Sequence, residues 1–316
     1  MPAIVSHWLL GRRTLPEVKA LCTETELNET CYLWGCQGPD ILFFHRLLPQ
    51  MRGENVQKYG YDAHTLDPAK LLKGMAALVG RARDPEIRRG LFSYLLGIGC
   101  HYSFDRCAHP YVYWLENKMV ASDPRGKDFH YHAEIESMLD IILLRSETGM
   151  LPCELDMVEC IPDAEGIQRV AGVFWTRAVS LLFGGNVTAR QADELTGDMR
   201  ACARLLQDRT ALKKPLLYRL ERLVGKKDGS VTAFMRSLTE GTDYDFANVC
   251  HSEWNNPFFP DRSSSEDFFT IADHAQVETL EIVGILLGAM AGREGADEEI
   301  SAFTKGLNFN GASASV

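Results

Sequence analysis

The apolar positions of this chain recur at helical spacing and predict a series of helices. Ile4, Val5, Trp8, Leu9 and Leu10 give a first helix, within residues 1–24, an apolar side. The stretch Thr14-Leu15-Pro16-Glu17 resembles the start of a second helix, because it combines a capping Thr with an early Pro. Further helices are predicted over 68–80, from Asp84-Pro85-Glu86 onward, over 166–182 and 188–207, and over 268–291 as the last helix.

Turn residues and prolines interrupt this pattern. Gly38-Pro39-Asp40 precedes an apolar run and predicts a turn with Asp40 near a helix N-terminus, where capping alone is a sufficient role for it. The polar stretch 51–67 is predicted to be a loop that carries His64, and 123–128 a turn-rich link. Pro110 is predicted to end or kink its helix, because proline lacks an amide hydrogen and clashes one turn back.

Two predicted helices carry rows of polar residues at steps of four. Because a helix turns about 100° per residue, His101, Asp105 and His109 lie within roughly an 80° arc and share one face. A second segment repeats this arrangement, and its other side is apolar; its row is His132, Glu136 and Asp140. His130 competes with His132, but only Glu134 is in phase with it, so His132 is preferred.

Such rows are costly to bury without partners. Burying an unpaired carboxylate or imidazole on a mostly apolar helix costs several kcal/mol of folding free energy. Nitrogen and oxygen ligands of this kind suit zinc or a similar divalent ion. The alternative is that they are surface residues or ordinary i,i+4 helix pairs. Two rows in one chain favour the metal site. Gly97, one turn before His101, leaves room beside the first row, and Gly99 adds to it.

Composition limits the remaining possibilities. With 316 residues, 46% of them apolar, the chain can bury a substantial core without disulfides. Its nine cysteines form no CxxC pair and residues 1–10 do not resemble a signal peptide, so a reduced, cytoplasmic protein is expected. The apolar stretch 282–291 is about ten residues long, too short for a transmembrane segment. A formal net charge of −10 argues against a stable nucleic-acid partner.

Three motifs carry a resemblance to a known family. GPDILFFH at 38–45, GCHYSFDRCAHP at 99–110 and HAEIESMLD at 132–140 resemble the zinc-dependent phospholipase C family, whose catalytic domain is shared with zinc nucleases specific for single strands. The family pattern is an early His, an Asp after Gly-Pro, a lone His, HxxxD followed by His, and HxxxExxxD. This chain has the matching residues in that order: His7, Asp40, His64, His101, Asp105, His109, His132, Glu136 and Asp140.

The resemblance implies an all-α fold, with a single multi-helix domain over residues 1–305. It implies two or three zinc ions in a cleft, held by the eight residues from His7 to Glu136 in that order. Asp40, Asp105 and Glu136 are the implied catalytic residues, with Asp105 as a bridge between ions. Asp140 is expected to orient a ligand imidazole through its other nitrogen. Secreted members begin with a Trp that also binds metal, whereas this chain begins Met1-Pro2-Ala3.

The remaining expectations concern the tail and the substrate. Residues 306–316 are small and polar and are predicted to be a disordered tail. The expected substrate is a small phosphodiester or a phospholipid head group. A nuclease or nucleotide phosphodiesterase is the runner-up, which the negative charge makes less favourable. A non-catalytic helical metal-binding protein is the third reading, and an open ligand position on the metal would exclude it.

Overall fold

One long helix, α5 (Pro85–Ser122), forms the centre of the fold, and most other elements contact it. The computed structural model describes residues 4–48, 51–122, 130–223, 231–236 and 244–314. Within these ranges the chain is all-α, as expected. The other helices are α1 (Ile4–Leu21), α2 (Glu29–Gly35), α3 (Gln57–Thr65), α4 (Pro68–Arg81), α6 (Tyr131–Thr148), α7 (Ile167–Phe183), α8 (Ala189–Leu206), α9 (Lys213–Leu223), α10 (Phe268–Met290) and α11 (Ala296–Thr304).

Short elements complete the described structure. Single 3₁₀ turns cover Gly38–Leu42, Met157–Glu159 and Thr232–Phe234. Two short strands, β1 (Trp254–Asn255) and β2 (Ser263–Ser264), pair antiparallel with Trp254 opposite Ser264. No helix in the described ranges has both the length and the apolar character that a membrane crossing requires.

The central position of α5 follows from its sequence. From Gly90 to Val112 nearly every residue is buried, whichever side of the helix it occupies. A helix that is apolar all round must be covered on all sides, and here α1, α2, α4, α6, α7 and α10 cover it. The polar residues His101, Asp105 and His109 therefore lie inside the protein instead of on its surface.

The crossing of α2 and α5 depends on two glycines. A Cβ atom on Gly97 would lie 2.1 Å from the carbonyl oxygen of Tyr32, and one on Gly35 would lie 2.1 Å from that of Tyr94. The two backbones are thus in direct contact. This contact brings the carbonyl of Cys36 beside the ring of His101, one turn after Gly97.

Two predictions near the N-terminus are wrong. No new helix begins at Thr14, because α1 continues through Pro16 to Leu21. Pro16 lies on the exposed side of the helix, so its ring does not displace a packed neighbour. The predicted loop 51–67 contains α3, which carries His64. The polar character of this stretch obscures a helical pattern of burial, because Val56, Gly60, Ala63 and His64 face inward at helical spacing.

Three further predictions need correction. Of the two effects predicted for Pro110, ending of the helix is wrong: α5 continues to Ser122 because the core holds it on both sides of the proline. The last helix is not α10, since α11 follows it. The residues from 306 to 314 are not a disordered tail: they pack on α5, and Phe309 is 1% exposed. Residues 1–3, the predicted link at 123–128, and residues 315–316 lie outside the described ranges.

The glycine crossing generates a stability prediction. Replacing Gly97 with Ala should lower the free energy of unfolding by at least about 1–3 kcal/mol, because the added methyl group meets backbone atoms that cannot move independently. Gly197 is the matched control: it lies within α8 with open space around it, so Gly197→Ala should raise stability by about 0.5–1 kcal/mol. Urea denaturation of both variants measures the difference. Equal effects would show that the α2–α5 contact is not close.

Candidate metal centre

Side chains from five elements converge around Asp105. Helix α1 contributes His7, the 3₁₀ turn at 38–42 contributes Asp40, and α3 contributes His64. Helix α5 contributes the row that contains Asp105, and α6 contributes a pair. Except for the partly exposed His132, all of the predicted ligands are buried; the residues brought together are His7, Asp40, His64, His101, Asp105, His109, His132 and Glu136.

The two oxygens of Asp105 face different imidazoles. Its Oδ1 is 3.2 Å from Nε2 of His7. Its Oδ2 is 2.9 Å from Nε2 of His101 and 3.6 Å from Nε2 of His64. Nδ1 of His109 is 3.9 Å from the same Oδ2. The carboxylate is therefore the common neighbour of four histidines, which is the position a bridging ligand needs.

A first group of ligand atoms lies on one side of this carboxylate. Atoms of Asp40, His64 and His101 lie within 4.8 Å of one another. Nε2 of His64 is 3.1 Å from Oδ1 of Asp40. His7, His101 and Asp105 form an overlapping set under the same limit, and the rings of His7 and His101 stack with centroids 4.1 Å apart.

A second group consists of His109, His132 and Glu136, again with ligand atoms within 4.8 Å of one another. Nε2 of His132 is 3.2 Å from Oε1 of Glu136, and Nε2 of His109 is 3.7 Å from the same oxygen. His132, not His130, occupies this position, as the phase of the row predicts. His130 instead lies at the cleft wall, with its ring 5.9 Å from that of Phe234.

Four of the histidines have their outward nitrogen engaged. Nδ1 of His64 is 2.7 Å from the carbonyl oxygen of Gly60, and Nδ1 of His101 is 3.0 Å from that of Cys36. Nδ1 of His109 is 2.9 Å from the carbonyl oxygen of Phe309, and Nδ1 of His132 is 3.1 Å from Oε2 of Glu116. Because a carbonyl or carboxylate only accepts, each Nδ1 donates, and in the neutral ring Nε2 therefore has the lone pair that faces the site.

The residues present fit a bound cation. Nε2 of His101 and Oδ2 of Asp105 are buried and 2.9 Å apart, yet they do not meet in hydrogen-bond geometry, and neither has another hydrogen-bond partner among the described residues. Two buried lone pairs that face each other are unfavourable unless a positive charge lies beside them. Imidazole nitrogen with carboxylate oxygen is the donor set that zinc accepts in catalytic sites.

Electrostatics in the metal-free protein agree with this fit. Burial favours the neutral carboxyl of Asp105, but the charges of His101, His109 and His7 outweigh it and hold the pKa well below its usual value. Burial likewise opposes the charged form of His64, but Asp105 and Asp40 raise its pKa to about 10. For His132, burial is outweighed by Glu136 and Glu116, which raise the pKa to about 9. Protons thus take the place of the cation.

The position of Asp40 depends on a glycine. Gly38 has φ +54°, and a Cβ atom there would lie 2.2 Å from the ring of His101. Any other residue would push the 3₁₀ turn away from α5. Asp40 is 3% exposed, and its carboxylate faces Nε2 of His64 in the site instead of acting only as a helix cap.

Asp140 does not have the predicted role. It contacts no ligand imidazole among the described residues; its Oδ1 accepts hydrogen bonds from the backbone nitrogen and the hydroxyl of Ser6, at 2.7 and 2.6 Å. Its other oxygen pairs with the buried guanidinium of Arg236. Since Ser6 precedes His7, Asp140 holds the helix that carries a candidate ligand instead of holding the ligand.

His45 lies in another group, with Glu194 and Asp198. Its Nδ1 accepts a hydrogen bond from the backbone nitrogen of Val56 at 3.2 Å. The neutral ring therefore carries its proton on Nε2, which faces Glu194 at 3.5 Å and cannot bind a metal in that form. Arg46 already pairs with Glu194, so this group is an ion-pair cluster.

Sequence reasoning missed the residues that hold the imidazoles from behind. Gly60 is one helical turn before His64, so a predicted helix at 57–65 would have identified the Gly60 carbonyl as a partner of this imidazole. Glu116 lies seven residues after His109 on α5, so helical phase offers a signal for it as well. The carbonyls of Cys36 and Phe309 leave no trace in residue type, because every residue has one.

The centre opens into a cleft of about 600 Å³. Its polar floor consists of the histidines and carboxylates already described. Its walls are aromatic, with Phe43 and Tyr61 in contact at 4.5 Å between ring centroids, and Tyr113 beside His132 at 4.9 Å. Tyr61 is 61% exposed and stands at the mouth. A cavity of this size accommodates a small molecule over the candidate metal ligands.

Comparison with protein families decides the membership. The model described as zinc dependent phospholipase C matches residues 6–178, which include all eight candidate ligands. The chain belongs to the zinc-dependent phospholipase C family. No curated protein and no solved structure matches it. Membership in the phospholipase C family supports a hydrolase that uses zinc, and the His, Asp and Glu groups of the centre are consistent with that metal.

The pKa values generate a prediction for metal binding. At pH 7.5 in the metal-free protein, both His64 and His132 should be in the charged imidazolium form, so zinc should displace about two protons as it binds, one from each ring. As the pH rises through 9 and then 10, these imidazoles lose their protons beforehand and the release should fall towards zero. Calorimetric titration with zinc in two buffers of different ionisation enthalpy measures the number. A release that is absent at pH 7.5, or unchanged at high pH, contradicts the assignment.

Proposed function

We propose that this protein is a zinc-dependent phosphodiester hydrolase of the phospholipase C type with a multinuclear centre. The observation that carries the proposal is the position of Asp105, whose Oδ1 faces His7 and whose Oδ2 faces His101 and His64. A carboxylate shared in this way holds two cations close together, and paired cations are the usual device for stabilising the attacking and leaving oxygens of a phosphoryl centre.

The proposed ligands are the eight residues named above. Asp40, His64 and His101 would hold one ion, and Asp105 would be shared between that ion and a second one on the side of His7. His109, His132 and Glu136 would hold a further ion. When bound, zinc supplies a Lewis acid for phosphate oxygens and lowers the pKa of a coordinated water towards about 7. The protein holds the ligand atoms in a buried, preorganised arrangement, so that little reorganisation is needed during the reaction.

Two carboxylates have roles beyond holding metal. Asp40 is buried at the floor of the cleft, beside His64 and His7, and is the proposed acceptor of a proton from the attacking water. Glu136, beside His109 and His132, is the second proposed catalytic carboxylate. The aromatic walls, with Tyr113 next to His132, give the floor of the cleft partly apolar surroundings.

The openness of the cleft favours an enzyme over a structural metal site. Structural zinc sites are closed by four protein ligands and leave no position for water or substrate, whereas the ligand groups here lie along a cavity of about 600 Å³. The proposed substrate is a small phosphodiester or a phospholipid head group. A nucleic-acid substrate is the second candidate, and the formal net charge of −10 opposes its approach.

Hydrolysis assays test this proposal. The zinc-loaded protein should release p-nitrophenol from p-nitrophenyl phosphorylcholine or bis-p-nitrophenyl phosphate, and substrate class follows from comparing phospholipid vesicles with short oligonucleotides. Zinc-replete protein that is inactive on all of these would favour a structural metal site.

Substitution of the shared carboxylate gives the sharper test. Asp105→Asn should reduce kcat/KM by more than about 100-fold, the most that a merely supporting residue usually costs, and should also reduce bound zinc. Asp140→Asn should reduce bound zinc less, because Asp140 contacts Ser6 and Arg236 and no ligand. The exposed Asp193→Asn serves as the matched control and should change neither quantity. Unchanged zinc content in Asp105→Asn would refute the bridging role.

A further inference from the structure

The segment 306–314, called here the C-terminal strap, lies along the face of α5 that carries the metal-site row. The hydroxyl of Tyr102 donates to the carbonyl oxygen of Leu307 at 2.8 Å. Gly311 lies against Pro110 and the carbonyl oxygen of Arg106. Because proline has no amide hydrogen, Pro110 does not donate the usual helical hydrogen bond to that carbonyl. The α5 residues involved follow one another at steps of three or four: Tyr102, Arg106, His109 and Tyr113.

The middle of the strap touches the centre itself. The carbonyl oxygen of Phe309 is 2.9 Å from Nδ1 of His109. The ring of Phe309 lies 5.4 Å from that of His64 and 5.7 Å from that of His101, between centroids. Its neighbour Asn310 lines the cleft and accepts a hydrogen bond from the hydroxyl of Tyr113 at 3.3 Å. Phe309 thus contacts imidazoles from both ligand groups: His64 and His101 of the first, and His109 of the second.

Asn308 fixes the shape of the strap. Its Oδ1 accepts hydrogen bonds from the backbone nitrogens of Asn310 and Ala312, at 2.9 and 3.1 Å. Its Nδ2 donates to the carbonyl oxygen of Thr65 at 3.3 Å, next to His64. The side chain is 4% exposed. It therefore ties the turn that presents the Phe309 carbonyl to the end of α3.

We infer that the C-terminal strap is a positioning element of the metal centre. The carbonyl of Phe309 keeps the proton of His109 on Nδ1, so that Nε2 presents its lone pair towards His132 and Glu136. Helical phase alone brings His109 to the site but does not choose its tautomer. The inference rests on the proposed function only in taking the centre to bind zinc. The strap lies outside residues 6–178, the part matched by the family model.

Zinc affinity of full-length variants tests the inference. In Asn308→Ala the turn loses its central acceptor, and the affinity for the zinc ion assigned to His109, His132 and Glu136 should fall by about 10- to 100-fold, the usual range for a supporting group behind a metal ligand. Asn308→Asp keeps the acceptor and should recover most of the affinity. Ser313→Ala, an exposed position in the same strap, is the matched control and should bind zinc normally. Zinc content after dialysis and competition with a chelator measure these values.

A spectroscopic readout on the unaltered protein covers the case in which a variant does not fold. Long-range ¹H–¹⁵N correlation spectra of the zinc-free and zinc-loaded chain should assign the His109 proton to Nδ1. A proton on Nε2 in the loaded protein, or wild-type zinc affinity in a folded Asn308→Ala, overturns the inference. Neither readout uses hydrolysis, so zinc-loaded protein that cleaves no phosphodiester would refute the proposed function and leave the strap unaffected.

Discussion

The buried carboxylate of Asp105 is the interaction on which the rest of the centre depends. It lies on a helix that is covered on all sides, and four imidazoles from three helices point at its two oxygens. A buried charge of this kind requires compensation. In the metal-free protein, protonated imidazoles provide it, as the raised pKa of His64 shows. In the proposed function, bound zinc would take over that role, and the same geometry would serve phosphate chemistry.

The surrounding fold can be understood as the means of bringing separate segments to this carboxylate. Contact between the backbones of α2 and α5 at Gly35 and Gly97 fixes the carbonyl that holds His101. Asp140 and Arg236 fix α1 near Ser6 and thereby place His7. The strap fixes His109 from the far end of the chain. His7, His101 and His109 are therefore each held by a segment other than the helix that carries them.

The centre was more predictable than its supports, for a physical reason. Rows at steps of four are local, so His101, Asp105 and His109 follow from helical phase alone. Asp140 has the same offset from His132, about 80°, as His109 has from His101. It nevertheless contacts Ser6 and Arg236 instead of an imidazole, which the sequence does not indicate. Of the two effects predicted for Pro110, ending of α5 does not occur, because packing on both sides outweighs the local preference of proline. The strap was expected to be disordered because its composition is small and polar, whereas Phe309 and Asn308 anchor it through tertiary contacts.

Anomalous diffraction at the zinc absorption edge, from crystals of the zinc-loaded protein, shows directly whether Asp105 is shared between ions. We expect at least two anomalous peaks near Asp105, with each of its carboxylate oxygens about 2.0–2.2 Å from an ion, and further ligands from the other histidines of the centre. A single peak closed by four protein ligands, or peaks only at the His45, Glu194 and Asp198 group, would contradict it.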